Sequence, residues 1–397
     1  MKALICSLMR YQTIERITVN IMKICDCVKD AVWYDPRVRK QIDEYIRCGH
    51  DVEAVGVRDP RYDQAEVEKM PCKVLLAGID EKLYKKPNVF QKIYREMKTN
   101  VDMYRLIVST KPDVIHANDL NALIPAYYAS KKLKCGIIYD THEIFLENPW
   151  VARNRISKFV WGFFEKHLIN RVDMFVSVSH AAAEYLKEKY RLQHIMVVTN
   201  CVGKDAIVDN AETAKPLQVL NHGQFYEGRG YDILVDVAPL ITDLQDIQIV
   251  LRGFGRLEQE LRAKVKERNI QNLIFVPPVK VYELIPAAST AWVGLAITEA
   301  ISLNFKLSVS NKLFEYAAAG LPVIMSDIPE HRYLNDQYHF GIVLKSDSPE
   351  DIAAAIRQLH GDKSFYNKCK ENARKLSLEV NWEAEFSRLI DFEQSIK

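Results

Sequence analysis

Ser310-Asn311-Lys312-Leu313-Phe314-Glu315-Tyr316-Ala317-Ala318-Ala319-Gly320-Leu321-Pro322-Val323-Ile324-Met325-Ser326-Asp327 reads as loop, helix, turn and strand in immediate succession. Ser310 and Asn311 are favoured helix N-caps, and Leu313, Phe314, Ala317 and Ala318 fall at helical spacing. Gly320 can end the helix in a left-handed conformation, Pro322 prevents its continuation, and Val323 to Met325 is a short buried strand. A helix that starts this way leaves free N–H groups and a positive dipole end in the preceding crevice, which suits a phosphate. Lys312 adds a full charge there. One turn on, Glu315 could accept two hydrogen bonds from a ribose diol, so the pair suggests a nucleotide. An ordinary amphipathic helix with a solvated glutamate would carry the same residues, and the rest of the chain has to decide.

With 397 residues, 48% hydrophobic and 27% charged, the chain is a soluble globular protein long enough for two domains. No apolar run reaches the roughly 18 to 20 residues that span a bilayer, and the first residues lack the apolar core of a signal peptide, so a cytoplasmic protein is expected. The eight cysteines are scattered without a CxxC pair, which suggests neither a zinc site nor a disulfide framework. Residues 1–205 hold 33 Lys and Arg against 26 Asp and Glu, about +7, which leaves about −5 for the remainder. A basic half of this kind suits an anionic partner such as a lipid phosphate or a membrane surface.

Residues 1–20 read as an N-terminal extension, because the first convincing strand is Ile21-Met22-Lys23-Ile24-Cys25-Asp26-Cys27-Val28. Asp35-Pro36-Arg37-Val38-Arg39 then opens a helix that stops at Cys48-Gly49-His50, and a strand over 51–57 completes a βαβ unit. That places Arg37 beside the carboxyl edge of the first strand, where open parallel sheets bind ligands. Residues 81–110 predict a long basic helix with Leu83, Phe90, Ile93, Tyr94, Met97, Val101 and Tyr104 on one stripe. Such a stripe can lie on a membrane, but packing against a sheet is the favoured reading. Strands over 113–116 and 136–140 end in His116, followed by Asp119, and in Thr141-His142-Glu143. Two histidines at one edge of a parallel sheet point to a site, His142 the better placed. The aromatics of Phe159-Val160-Trp161-Gly162-Phe163-Phe164 are expected in the core. Strands at 174–178 and 195–200 follow, and the polar stretch from Gly203 to Pro216 has the composition of an interdomain linker.

The second half restarts the alternation with a strand at 218–223, then one over 247–251 that feeds Gly253-Phe254-Gly255. A lone GxG can bring backbone N–H groups against a diphosphate, but the third glycine of a dinucleotide fingerprint is missing. The strand Leu273 to Val276 ends at Pro277, where exposed backbone could pair with a base. A further strand at 291–296 leads into the opening stretch, and Trp382 to Ile396 predicts an amphipathic helix that packs back toward the first domain.

In their order and spacing, Asp35-Pro36-Arg37-Val38, Asp113-Val114-Ile115-His116, Tyr139-Asp140-Thr141-His142-Glu143, Val176-Ser177-Val178-Ser179, Val198-Thr199-Asn200, Gly223-Gln224-Phe225-Tyr226-Glu227-Gly228-Arg229-Gly230 and Ser310 through Glu330 resemble one family. It is the retaining glycosyltransferases of family 4, with the GT-B fold, and the likeness runs from Ile21 to Ile396. The resemblance implies an α/β architecture of two Rossmann-like parallel-sheet domains facing each other across a cleft. Residues 21–205 would hold the acceptor, 206–380 the nucleotide-sugar, and 381–397 the returning helix. Glu315 matches the glutamate on the ribose, Arg229 the cation that neutralises the departing diphosphate, and His142 the histidine near the transferred sugar. Gly223, Gln224, Gly253, Val276, Pro277, Ser310, Asn311 and Lys312 complete the expected donor site, and Arg37, His116, Asp119 and Glu143 the acceptor side.

No metal or cofactor is expected, because cations and helix-end N–H groups can stabilise the leaving diphosphate and the chain has no Asp-x-Asp motif. Expected partners are a UDP- or GDP-sugar, a glycan or polyprenyl-lipid acceptor and an anionic membrane at its inner face, with no nucleic acid. Gln224 stands where the family has Arg, and Leu307 where it has the first acid of its E-x7-E pair. Arg37 or Lys312 could offset the first loss, and Glu299 or Asn304 the second. Two alternatives share the fold: a nucleotide-sugar 2-epimerase, against which the Asp35 and Tyr139 motifs argue, and a non-catalytic subunit, which Gln224 and Leu307 keep open.

Overall fold

The computed structural model describes residues 21–59, 63–78, 88–208 and 211–393. The expected 1–20 extension and Leu83 lie outside them. Among the described residues the strands form two all-parallel sheets. The first contains β1 (Lys23–Val28), β2 (Asp51–Val57), β3 (Lys73–Ala77), β4 (Val114–Asn118), β5 (Gly136–Thr141), β6 (Met174–Ser177) and β7 (Met196–Val197), in the order β3-β2-β1-β4-β5-β6-β7. Around it lie α1 (Pro36–Arg47), α2 (Val89–Thr110), α3 (Asp119–Leu133), α4 (Pro149–Ala152), α5 (Arg155–Leu168) and α6 (His180–Tyr190).

The second sheet contains β8 (Leu217–Gln224), β9 (Ile247–Phe254), β10 (Leu273–Val276), β11 (Val293–Ala296), β12 (Val323–Met325) and β13 (Gly341–Val343), in the order β10-β9-β8-β11-β12-β13. Its helices are α7 (Tyr231–Leu240), α8 (Glu258–Glu267), α9 (Leu284–Ala288), α10 (Leu303–Leu307), α11 (Asn311–Ala318), α12 (Pro329–Tyr338), α13 (Pro349–Gly361) and α14 (Lys363–Glu379), and the chain ends in α15 (Trp382–Glu393). Each sheet reverses its winding beside its first strand, between β1 and β4 and between β8 and β11. Crossovers leave those points toward opposite faces, so a crevice opens at the carboxyl edge of each sheet. These are the two Rossmann-like domains of a GT-B architecture.

Local chemistry sets the element ends near those crevices. The Asp35 carboxylate accepts from the N–H groups of Arg37 at 2.9 Å and Val38 at 3.1 Å, and Pro36 starts α1 without an N–H to satisfy. Ser310 is the N-cap of α11, and Gly320 at φ +71° turns the chain toward β12. Gly253 has a different task from the phosphate turn its spacing suggests. A Cβ there would sit 1.8 Å from the Gly223 carbonyl oxygen, so glycine lets β8 and β9 run together to their ends.

Each sheet is covered on both faces by apolar clusters. On one face of the first sheet, Ile24, Val38, Ile42 and Tyr45 pack with Trp382, Phe386, Leu389 and Ile390 of α15, so the chain's last described helix belongs to the first domain's core. The Trp382 indole N–H donates to the Lys40 carbonyl at 3.2 Å, and the Phe386 ring meets Tyr45 edge-on at 4.9 Å. No helix among the described residues is long and apolar enough to cross a membrane.

Two core assignments are corrected. On α2, Phe90, Ile93, Tyr94, Met97 and Val101 are exposed, and the helix instead buries Thr99, Met103, Ile107 and Thr110. On α5, Phe159 is 76% and Phe163 60% exposed. Both helices carry apolar residues on more than one side, and periodicity does not say which side finds a sheet to cover. The strands β3 and β13 and the helices α12 to α14 had no reading from sequence.

Phe386→Ala removes a fully buried ring that joins α15 to α1, and should lower stability by about 3–5 kcal/mol. Urea unfolding followed by tryptophan fluorescence measures it; a loss below about 1 kcal/mol would show that α15 is dispensable to that core.

Candidate functional site

The second domain's crevice lies between the end of β8 and the start of α11. A cavity of about 280 Å³ there is lined by His222, Gly223, Gln224, Tyr226, Arg229, Leu284, Val309, Ser310, Asn311, Lys312 and Glu315. Lys312 is buried and its ammonium donates to the Asn221 side-chain oxygen while lying 5.3 Å from the centre of the Tyr231 ring. Burial, and then the neighbouring Arg229 charge, bring Lys312 down to about 7. The Arg229 guanidinium stacks over Phe305 at 5.1 Å.

Glu315 is held by a residue sequence reasoning missed. His222 Nε2 lies 2.7 Å from a Glu315 oxygen, and its ring stacks on Tyr316 at 4.5 Å. The Tyr316 hydroxyl fixes that ring's backbone, accepting from the His222 N–H at 3.1 Å and donating to the Leu220 carbonyl at 3.0 Å. Burial alone would raise the Glu315 carboxyl, but the His222 hydrogen bond and the charges of His222, Lys312 and Lys40 hold it below the usual range. Lys40 belongs to α1 of the other domain, so the two crevices face each other closely enough to share a field. The signal for His222 was the one used for His116 and His142, a histidine at the carboxyl end of a strand.

In the first domain, His142 follows β5. Its Nε2 lies 3.0 Å from the Asn118 side-chain oxygen, and its Nδ1 lies 3.7 Å from Asp35 and 3.8 Å from Asp119. An amide oxygen only accepts, so Nε2 is the donor and Nδ1 faces the two carboxylates. Asp119, at φ +63°, accepts from the His142 N–H at 3.0 Å. Burial pushes the Asp119 carboxyl up to about 6 against the pull of His142.

Arg37 and His116 are expected on the open acceptor side, and the structure places both beneath it. Arg37 grips Asp140 with its Nε and Nη2, at 2.8 to 3.0 Å, and is 3% exposed. His116 is fully buried, with Nδ1 2.8 Å from the Tyr45 hydroxyl and Nε2 3.4 Å from Asp140. Gln41 donates to the same carboxylate at 2.6 Å. Burial would raise Asp140, yet Arg37 and His116 hold it far below the usual range. Beside this group Asp26 has one oxygen bonded to Asn118 at 2.7 Å and the other without a partner, and burial pushes it up to about 7. Arg37 is therefore turned to Asp140 within its own domain through Nε and Nη2, while its Nη1 is buried without a partner.

Glu143 lies at the joint between the domains. It accepts from the side chains of Asn148 and of Asn304 on α10, whose own oxygen accepts from the Ile144 N–H at 3.0 Å. Leu303 and Leu307 press against the first domain's apolar cluster, and the Leu307 carbonyl accepts from the Ser179 hydroxyl at 2.6 Å. His180 meets Glu330 at 2.9 Å across the same joint. Glu299 is also occupied, accepting from the Gly230 N–H at 3.3 Å. Neither Glu299 nor Asn304 is thus a free substitute for a carboxylate at 307. Of the expected donor residues, Gly223, Gln224, Arg229, Ser310, Asn311, Lys312 and Glu315 line one cavity; Gly253, Val276 and Pro277 do not, and Tyr226 and Leu284 join it.

Residues 37–205 match the family described as Glycosyltransferase Family 4, and residues 204–376 match Glycosyl transferases group 1. Among solved structures, HepE of Anabaena in complex with UDP has a TM-score of 0.73 at 14% identity, covering 94% of this chain and 100% of that one. The lipopolysaccharide outer core galactosyltransferase WaaB in its apo form has a TM-score of 0.65 at 16% identity, covering 94% and 100%. A 42.6 kDa protein in the cps region of Klebsiella pneumoniae is 23% identical over 264 residues, 58% of this chain and 67% of that protein.

Asp140→Asn leaves the Arg37 guanidinium buried without a counter-charge and should cost about 3–5 kcal/mol. The urea midpoint reads this out; an unchanged midpoint would mean that the Asp140 carboxylate does not anchor the carboxyl edge of the sheet.

Proposed function

The chain belongs to the family 4 glycosyltransferases of the GT-B fold, and from that premise we propose that it moves a hexose or N-acetylhexosamine, with retention, from UDP- or GDP-sugar to a glycan or lipid-linked acceptor. The observation that carries the reading is the convergence of Lys312, Arg229, the first turn of α11 and Glu315 on one cavity. Breaking the sugar–phosphate bond leaves negative charge on the diphosphate and positive character on the anomeric carbon. Lys312 and Arg229, with the α11 N–H groups, answer the first without a metal. Glu315, kept ionised by His222, is suited to the ribose diol. His142 and Asp119 face the acceptor side, where a hydroxyl has to be oriented and its proton received.

The UDP in the Anabaena neighbour favours UDP over GDP as the donor nucleotide. The lipopolysaccharide transferase and the cps-region relative favour a cell-surface polysaccharide or glycoconjugate as the product. Leu307 and Gln224 also support a second reading, a GT-B subunit that binds nucleotide and transfers nothing. Thermal shifts with UDP, GDP, ADP, dTDP and their sugars, repeated on Glu315→Ala, test the site. A shift with one nucleotide that disappears in the variant supports it; no shift with any of them sinks it. Turnover of the bound nucleotide-sugar, with NMR of the anomeric proton, then separates transferase from silent subunit and retention from inversion.

The position of Lys312 gives the reaction a pH signature. Its folded-state value is lowered to about 7, so above that pH the free site holds a neutral amine. A bound diphosphate restores the ammonium, so binding takes up a proton and affinity falls as pH rises above about 7. Calorimetry at about pH 8 in buffers of different ionisation enthalpy should show nearly one proton taken up, and Lys312→Met none; absence of uptake in the unaltered protein overturns the assignment of Lys312 to the diphosphate.

A further inference from the structure

Asn118 stands directly before α3, where an asparagine side chain ordinarily caps the helix, yet it makes no cap hydrogen bond. It is fully buried and joins two other groups instead. Its Nδ2 donates to Asp26 Oδ1 at 2.7 Å and to the Cys27 carbonyl at 3.3 Å, while its Oδ1 lies 3.0 Å from His142 Nε2. A carboxylate and a carbonyl both accept, so the amide has one permitted orientation; turned over, it would set its oxygen against two others. Asp26, itself fully buried, thereby decides through Asn118 which nitrogen of His142 carries the proton.

With the Nε2 proton committed, the neutral ring has a bare Nδ1. Asp35 spends one oxygen on the N–H groups of Arg37 and Val38, and Asp119 spends one on that of His142. Each turns its other oxygen toward Nδ1, at 3.7 and 3.8 Å. Those separations are too long for direct hydrogen bonds and suit a partner held between the three groups. All three side chains are partly exposed. Lys40 lies within the field of both Asp35 and Glu315, so the trio stands near the donor cavity across the crevice. The three converging atoms are all acceptors, and a ligand there has to donate.

We propose that Asn118, held by Asp26, is the positioning residue that fixes His142 with its proton on Nε2, and that Nδ1 with Asp35 and Asp119 receives the hydroxyl groups of an uncharged acceptor sugar. The proposal rests on the reading of this edge as the acceptor side, and it adds Asp35 to that side and a class to the sugar. Hydroxyl and amide N–H groups can donate to all three atoms. A uronate or a phosphate would instead meet two carboxylates, and is rejected there by like charge.

The test is NMR of the full chain with isotope-labelled histidine rings at alkaline pH, the His142 signals being identified by their loss in His142→Gln. The expected ring is neutral, with a solvent-protected proton on Nε2 and a bare Nδ1. In Asn118→Ala that protected proton is lost, and the unfolding midpoint checks that the variant is folded. A proton on Nδ1 in the unaltered protein overturns the proposal without any variant, and so does an Nε2 proton equally protected in Asn118→Ala. Methyl glycosides of glucose, galactose, mannose and N-acetylglucosamine are then titrated beside glucuronate. A shift of the His142 Nδ1 signal with at least one neutral sugar and none with glucuronate is expected; an equal shift with glucuronate, or none with any sugar, overturns the acceptor class. Neither measurement contains a nucleotide, so a chain that passes both yet transfers nothing would keep this arrangement and lose the transfer reading alone.

Discussion

Asp140 ends a central strand with a carboxylate from which water is excluded, and the ligand edge of the first domain is built around keeping it charged. Burial alone would protonate it. The Arg37 fork and the Gln41 amide meet its oxygens, with His116 behind them. To deliver Arg37, α1 has to begin at Asp35-Pro36, and the Asp35 carboxylate that caps the helix also faces His142 Nδ1 at 3.7 Å. Cap, ion pair and histidine orientation are one construction. The pair's net contribution to stability is small compared with the cost of leaving one half of it alone, and that asymmetry fixes the geometry.

The second domain solves a similar problem with a different sign. Here the buried charge is a lysine, and Asn221 at the end of β8 gives Lys312 an oxygen without a counter-charge. The next residue, His222, gives Glu315 its hydrogen bond. Adjacent strand residues therefore hold the cation and the anion apart instead of letting them neutralise one another. On the proposed reading such a site offers an amine to a phosphate and a carboxylate to hydroxyl groups, at the expense of a desolvated lysine that an anionic ligand would relieve. Strain of this kind belongs where a ligand supplies the missing partner.

Local signals made most of the fold legible. The unit from Ser310 to Met325 has its N-cap, glycine stop and strand where its residue types put them, and β2 and β10 match their hydrophobic runs end to end. The short strands β3 and β13 and the helices α12 to α14 went unread. Within the site, the helix-start signature of Ser310 to Lys312 and the family resemblance of Gly223, Gln224, Arg229 and Glu315 led to residues that line one cavity, while His222, Tyr226 and Leu284 went unread. Sequence reading misplaced Arg37 and His116 because whether a polar group at a strand's end faces solvent or its neighbours depends on pairing across β1, β4 and β5, which no single segment encodes. The outward stripes of α2 and α5 failed for a related reason: a repeat shows that a side is apolar, not what covers it.

Leu307 shows how such a departure acquires a physical meaning. Leu303 and Leu307 both press against the first domain's apolar cluster, where a carboxylate would give up water at a cost. Leucine instead lets α10 lie in the joint, with the Ser179 hydroxyl on its last carbonyl and the Asn304 amide reading Glu143 and the Ile144 N–H. The same five-residue helix thus trades a polar group in the crevice for attachment between the domains. If the proposed transfer holds, recognition of the sugar would fall to groups outside α10, and the candidates in the cavity are Gln224, Tyr226 and Asn311, all exposed and uncharged. An array of neutral donors and acceptors suits hydroxyl groups, and on the proposed reading the loss at 307 would bear on which sugar is selected while Lys312 and Arg229 remain for the diphosphate.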